Sequence, residues 1–220
     1  MPKKLSKHPA TSSTTTLSPS SPPPSTPAIL SDTLPLPTLI VFDLDYTLWP
    51  FWIDTHVTPP LKADAAHTSA TDRHGDTYAF YPDVPAILAA LPRAGVRTAV
   101  ASRTHAPDLA RDLLRMLHVA PVPPGDEAEG ANSKKKDRPR RAVEFFDGGL
   151  EMYPSSKMRH FEAIRKRTGV AYEEMLFFDD ESRNRDTESL GVTMYLVRDG
   201  TGWAEIEKGI LEWRKRRGIA

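Results

Sequence analysis

The chain holds 220 residues, enough for one ordinary domain with appendages and for a real core. Its 29 basic and 29 acidic residues cancel, which excludes a strongly basic whole-chain nucleic-acid binder and an acidic solvating tail, so a partner must be met at a local site. With no cysteine there is no disulfide framework, thiolate metal site or cysteine nucleophile, whereas chemistry built on oxygen ligands stays open. No apolar run reaches the roughly 20 residues of a spanning helix, and the first residues lack the apolar core of a secretory signal. The expected setting is the cytoplasm, with no membrane partner and no clear nucleic-acid partner.

Residues 1–38 carry nine of the 21 prolines, mostly separated by Ser and Thr with no apolar periodicity, so a disordered tail is expected. Lys3, Lys4 and Lys7 among many hydroxyls imitate a transit peptide, but the proline density opposes the amphipathic helix such a signal needs. From residue 39 to 217 short apolar runs alternate with helical patterns. In chain order these are a strand at Leu39–Asp45, a helix at Val84–Arg93, a strand at Arg97–Arg103 and a helix at Pro107–Leu117. A compositional break at Ala120–Arg141 leads from Pro121, Pro123 and Pro124 into the basic run Lys134–Arg141, which reads as an insertion loop and, more sharply, as a nuclear address or an acidic-partner contact. Then follow strands at Val143–Phe146, Met175–Asp179 and Val192–Val197, with helices at Lys157–Arg167, Ser182–Ser189 and Trp203–Arg216. Asp83 with Pro85, Ser155 or Ser156, and Gly169 and Gly191 supply helix caps and stops. The pattern is α/β: a three-layer, Rossmann-like parallel sheet of about five strands with helices on both faces.

Ligands of open parallel sheets collect outside the carboxyl ends of the strands, so the polar residue closing each run is informative. The first run closes on Asp43-Leu44-Asp45-Tyr46-Thr47, the second on Ser102-Arg103 and the fourth on Asp179-Asp180, while Lys157 opens the third helix. On an extended segment Asp43 and Asp45 would face one side. Two charges roughly 5 Å apart at an effective dielectric near 20 repel by about 3 kcal/mol, which calls for a proton on one or a cation between them. If Asp179 or Asp180 joins, a cation is the cheaper answer, and a few oxygen ligands suit magnesium. One Asp-x-Asp alone is commonly a turn or helix cap. Lys157 opposes a helix dipole where it stands, so an anion is expected beside it.

Asp43-x-Asp45-x-Thr47, Ser102, Lys157 and Asp179-Asp180 resemble the four motifs of the haloacid dehalogenase superfamily of phosphohydrolases. The run Val41–Trp52, then Asp54-Thr55-His56-Val57 and Pro59-Pro60, with Ala101–Thr104, Tyr153–Lys157 and Phe177–Glu181, is similar to the eukaryotic magnesium-dependent phosphatase-1 family. The likeness spans about Leu39 to Val197; the tail, the Ala120–Arg141 insertion and the stretch after Pro60 depart from it. It implies hydrolysis of phosphomonoesters with Mg2+, on phosphotyrosine or on phosphorylated sugars such as fructosamine phosphates. It also implies roles: Asp43 as nucleophile, Asp45 as general acid and base, and Leu44, Asp45, Ser102, Arg103 and Lys157 around the phosphate. Magnesium would be held through Asp43, the Asp45 carbonyl and the Asp179-Asp180 pair, with Asp180 preferred as the direct ligand.

Arg103 has two readings, a second phosphate fork or a partner for the acidic cluster, and the resemblance favours phosphate or substrate. Residues 49–81 are too short for a separate helical cap, so a capless domain with a small flap of hairpin type is expected. Trp49, Phe51 and Trp52 either stack on substrate or roof the core, the resemblance pointing Trp52 to substrate; His56 and Tyr81 brace the flap. The chain is expected to act as a monomer on a small-molecule or protein-borne phosphate. The rival is a receiver-like signalling domain, which uses similar groups around magnesium but keeps its phosphoaspartate; its acceptor lies on a middle strand, where this chain offers Ser102 and Phe145-Phe146-Asp147.

Overall fold

A computed structural model describes residues 26–121 and 138–219. Ten strands run through them: β1 (Leu39–Phe42), β2 (Lys62–Ala63), β3 (Ala70–Thr71), β4 (Thr77–Tyr78), β5 (Arg97–Ser102), β6 (His118–Val119), β7 (Arg140–Arg141), β8 (Leu150–Met152), β9 (Met175–Asp179) and β10 (Thr193–Leu196). Five α-helices join them: α1 (Ile53–His56), α2 (Val84–Ala90), α3 (Pro107–Met116), α4 (Lys157–Thr168) and α5 (Trp203–Arg216). The main sheet has the order β10-β9-β1-β5-β8, and every pairing in it is parallel.

The continuously apolar strands are explained by two cores. Side chains alternate across a strand, and here Ile40, Phe42, Val100, Leu176 and Phe178 enter one cluster while Leu39, Val41, Ala99, Met175 and Phe177 enter the other. The first is closed by α2, α3 and α5 through Leu88, Leu113, Ile206 and Ile210, the second by α4 through Phe161 and Ile164. With both faces covered, no alternating polar face is required, and a three-layer α/β fold results.

Several expected elements differ. Val143–Phe146 is not a strand: Ala142–Phe145 is a 3-10 helix, and the sheet edge is supplied by β8 instead. Gly148 lies so close to the sheet that a Cβ would come within 2.9 Å of both Leu39 Cδ1 and the Thr98 carbonyl, and Gly149 has φ +114°, so this glycine pair is the corner that sets β8 beside β5. The segment Ser182–Leu190 is a 3-10 rather than an α-helix; it carries one apolar residue at its end and lacks an apolar stripe to seat on the sheet. The first helix stops at Ala90 and tightens into a 3-10 turn over Leu91–Ala94, because Pro92 has no amide to continue the ladder. Asp83 does not cap α2; its Oδ2 accepts the Trp203 amide at the start of α5. Ser156 is the cap of α4, and Gly169 and Gly191 end their helices in the left-handed region.

The expected tail to residue 38 is also too long. Ala28–Leu30 forms a 3-10 turn whose Ile29 is buried, and Asp32 pairs with Arg214 of α5. The tail before residue 26 and insertion residues 122–137 lie outside the described residues. Within the expected insertion, β7 pairs antiparallel with β6. Between β1 and α2, α1 and the three-stranded antiparallel sheet β2-β3-β4 stand beside the carboxyl end of β1.

Candidate active site

The sheet stops where the polar residues begin. The Asp43 amide still donates to the Phe178 carbonyl at 2.9 Å, but β1 ends at Phe42 and the chain turns: the Leu44 carbonyl accepts amides from Thr47, Leu48 and Trp49, and Tyr46 takes φ +53°. Asp43 and Asp45 are therefore not neighbours on an extended strand as expected, but lie at the entry and within a tight turn. The Leu44 side chain is buried in the core, which leaves only its main chain for a phosphate.

Asp43 and Asp179 are bridged by Lys157. The ammonium lies 2.5 Å from Asp43 Oδ1 and 2.9 Å from Asp179 Oδ2, and donates to the Ala101 carbonyl at 2.5 Å. It is 2% exposed. Burial opposes its charge, yet Asp43 and Asp179 outweigh that and hold the Lys157 pKa above the ordinary lysine range. Burial raises Asp43 well above the usual carboxylate range, and the charges of Asp179 and Asp45 add to this against the opposing pull of Lys157.

Asp45 points elsewhere. Its Oδ1 accepts the indole N–H of Trp49 at 2.7 Å and the Ile53 amide at 3.2 Å. Trp49 is thus neither a substrate platform nor merely a roof: it is fully buried, stacks on Phe51 and braces the carboxylate. Burial pushes the Asp45 pKa up to about 6, Trp49 and Ile53 pulling the other way.

The two adjacent aspartates separate into different environments. Asp179 is fully buried and saturated: it takes the Glu181 amide at 2.7 Å and Asn184 Nδ2 at 2.9 Å on both oxygens, besides Lys157. Asp180 is half-buried and forms no ion pair among the described residues; burial, then Asp179, raise it to about 6. Ser102 sits at the end of β5, its Oγ accepting the Thr104 amide at 3.3 Å. Arg103 is half-buried and pairs with no acid among the described residues, which removes the reading in which it neutralises the acidic cluster. Trp52 is 50% exposed, its ring edge-on to Tyr46 at 5.2 Å.

Asn184 and the bracing role of Trp49 escaped the sequence. Asn184 lies on a polar segment with no periodicity, and its contact with Asp179 exists only once the 3-10 helix folds back.

Burial is the first cause of the raised Asp43, Asp45 and Asp180, and the neighbouring carboxylates add to it: Asp179 and Asp45 at Asp43, Asp54 at Asp45, and Asp179 at Asp180. Among the described residues no three His, Asp or Glu side chains converge into a cage. A half-buried Asp180 carboxylate that forms no ion pair among the described residues is the kind of hard oxygen ligand that magnesium takes.

Residues 35–216 match the Acid Phosphatase family. The chain belongs to that family. Among its relatives, a HAD-like hydrolase superfamily protein of Schizosaccharomyces pombe is 44% identical over 158 residues, covering 71% of this chain and 83% of the relative. Magnesium-dependent phosphatase 1 of Homo sapiens is 39% identical over 186 residues, 82% of this chain and 89% of that protein. The haloacid dehalogenase-like kinship drawn from the strand-end motifs is the one these relatives carry. Within this acid phosphatase family member no helix among the described residues is long and apolar enough to cross a membrane.

Proposed function

We propose that the chain is a magnesium-dependent phosphomonoester hydrolase working through an aspartyl-phosphate on Asp43. The observation that carries this is the buried Asp43–Lys157 contact at the carboxyl ends of the strands, with Asp45 fixed beside it through one oxygen only. In the first step an Asp43 oxygen attacks phosphorus, the ester P–O bond breaks, and the leaving oxygen takes the Asp45 proton. In the second, water attacks the phosphoryl group, gives its proton to Asp45, and the Asp43–phosphorus bond breaks to free phosphate. An Asp45 pKa of about 6 suits both roles near neutral pH. Ser102 and the Leu44 amide would hydrogen-bond phosphoryl oxygens, and Lys157 would exchange part of its pairing with Asp43 for the charge of the transferring group. Asp43, the Asp45 carbonyl and Asp180 would hold magnesium, whose charge when bound offsets repulsion between nucleophile and phosphate.

The substrates proposed are phosphotyrosine and phosphorylated sugars such as fructosamine phosphates. An exposed Trp52 and a flap of small strands leave the mouth open to a phosphate carried on a protein or a sugar, and Arg103, which pairs with no acid among the described residues, stands ready for a second contact. A receiver-like role fits less well, because β5 ends in Ser102 rather than an acid acceptor, and Asp147, the other acid weighed for that place, is paired with Arg97.

Purified protein with Mg2+ is expected to hydrolyse an aryl phosphate, and Asp43→Asn to abolish turnover with its circular dichroism intact. Equal turnover by the two proteins would remove Asp43 as nucleophile. A long-lived phosphoprotein formed from an acyl phosphate without turnover would favour the receiver.

A further inference from the structure

We infer that Asp54 is a positioning residue that fixes the acid–base group Asp45 relative to the loop bearing Ser102. The inference rests on the phosphatase reading above. Helix α1 is only four residues long, and an isolated turn of that length has no stability of its own. Yet its first amide, that of Ile53, is one of the two donors that hold Asp45 Oδ1, leaving Oδ2 for the reaction. Whatever holds α1 therefore aims Asp45.

Asp54 is the next residue, and its carboxylate reaches across to the other half of the site. Its Oδ2 accepts the His105 amide at 3.2 Å and faces the His105 imidazole Nδ1 at 3.5 Å, while Oδ1 accepts the Thr55 hydroxyl at 3.0 Å. His105 follows Ser102 by three residues, in a loop stiffened from within: Ser102 Oγ accepts the Thr104 amide, and Thr104 Oγ1 the Ala106 amide at 3.1 Å. One carboxylate thus ties the segment that aims the proton carrier to the segment that receives a phosphoryl oxygen.

The tie is suited to alignment rather than to holding the fold together. The His105 side chain is 78% exposed, and a single hydrogen bond at so exposed a residue contributes little to global stability. Misplacing a reacting group by a fraction of an ångström to an ångström is costly to rate by contrast.

The test compares wild type, Asp54→Ala and Asp54→Asn as full chains with Mg2+, an aryl phosphate as substrate and inorganic phosphate as competitive inhibitor. For Asp54→Ala, kcat is expected to fall about tenfold as Asp45 loses its aim, with the phosphate inhibition constant rising as the Ser102 loop shifts and the melting temperature moving by about 2 °C or less. Asp54→Asn keeps an oxygen for the His105 amide and should recover most of the loss. Unchanged constants in Asp54→Ala, or an Asp54→Asn that falls as far, would overturn the inference. A wild type without turnover would instead overturn the reading of the site on which it rests.

Discussion

His160 carries a burden unlike that of any other residue near the site. It lies one turn along α4 from Lys157, is fully buried, and its Nε2 sits 3.1 Å from the Tyr153 carbonyl, while Nδ1 has no partner among the described residues. Burial, then the charges of Lys157 and Arg103, push its pKa down to about 4. A neutral ring donating to Tyr153 holds the loop that delivers Lys157. The folded pKa lies below the unfolded value near 6.5, so protons bind the unfolded chain first. This contribution is complete above pH 6.5 and is lost as pH falls toward 4. Between pH 7 and 4.5 it amounts to about 2 kcal/mol. In His160→Gln, which keeps a donor for Tyr153 and cannot titrate there, urea unfolding should lose that much less stability over the same interval. Identical losses in the two proteins would show that His160 is neutral for some other reason or titrates equally when unfolded. Asp43, Ser102, Lys157 and the aspartate doublet were legible in the sequence because each ends a strand or opens a helix. Trp49, Asn184 and Asp54 were not, since each acts through one contact that tertiary folding creates.

At the scale of elements, the misread segments share a cause: their fate is decided far along the chain. Residues 26–38 have a disordered composition, yet Arg214 binds them. Its guanidinium, on a residue 1% exposed, donates to the carbonyls of Pro35, Leu34 and Ile29 and takes both oxygens of Asp32 at 2.6 and 2.8 Å. No local pattern foretells a pairing across a separation of 182 residues. The same holds for Val143–Phe146, whose apolar run fits a strand or a buried turn equally until the Thr98 hydroxyl donates to the Phe145 carbonyl and Gly148 passes under β5. By contrast β5, β9, α4 and α5 were read nearly to the residue, because periodicity and caps agree there. Arg214→Met keeps the alkyl stem and removes the clamp, stranding three carbonyls. It should cost about 2 to 3 kcal/mol in urea unfolding and open the chain near residues 26–38 to protease. An unshifted urea midpoint would mean that the segment is held by Ile29 packing instead.

The molecule as a whole has no net charge, so the negative surplus at the strand ends is a local construction rather than part of a broad field. Burial first, with Asp54 beside Asp45 and Asp179 beside Asp180, lifts the carboxyls of Asp45 and Asp180 to about 6 from a usual 3.8. A carboxyl raised in the fold favours the folded state at low pH, and that advantage is lost as pH rises through the folded value. Stability should therefore decline on this account between about pH 4 and 6, and level off above that, when no cation is present. Magnesium binds the folded site alone, and at a hundred times its dissociation constant it should return about 2.7 kcal/mol, or roughly 5 to 10 °C in melting temperature. The gain should be full at pH 7.5 and shrink toward pH 5 as the carboxyls take protons. Asp180→Asn should abolish the gain while leaving the cation-free protein as stable or more so, since it removes a strained charge. Asp179→Asn should lower stability with or without magnesium, because one of its two accepting oxygens becomes an NH2 donor facing Lys157 or Asn184 and the buried ammonium loses one of its two counter-charges. Melting curves in EDTA and in Mg2+ that coincide at pH 7.5 would mean the surplus is balanced by Lys157 and the protein dipoles alone, and the role given to Asp180 would fall with it.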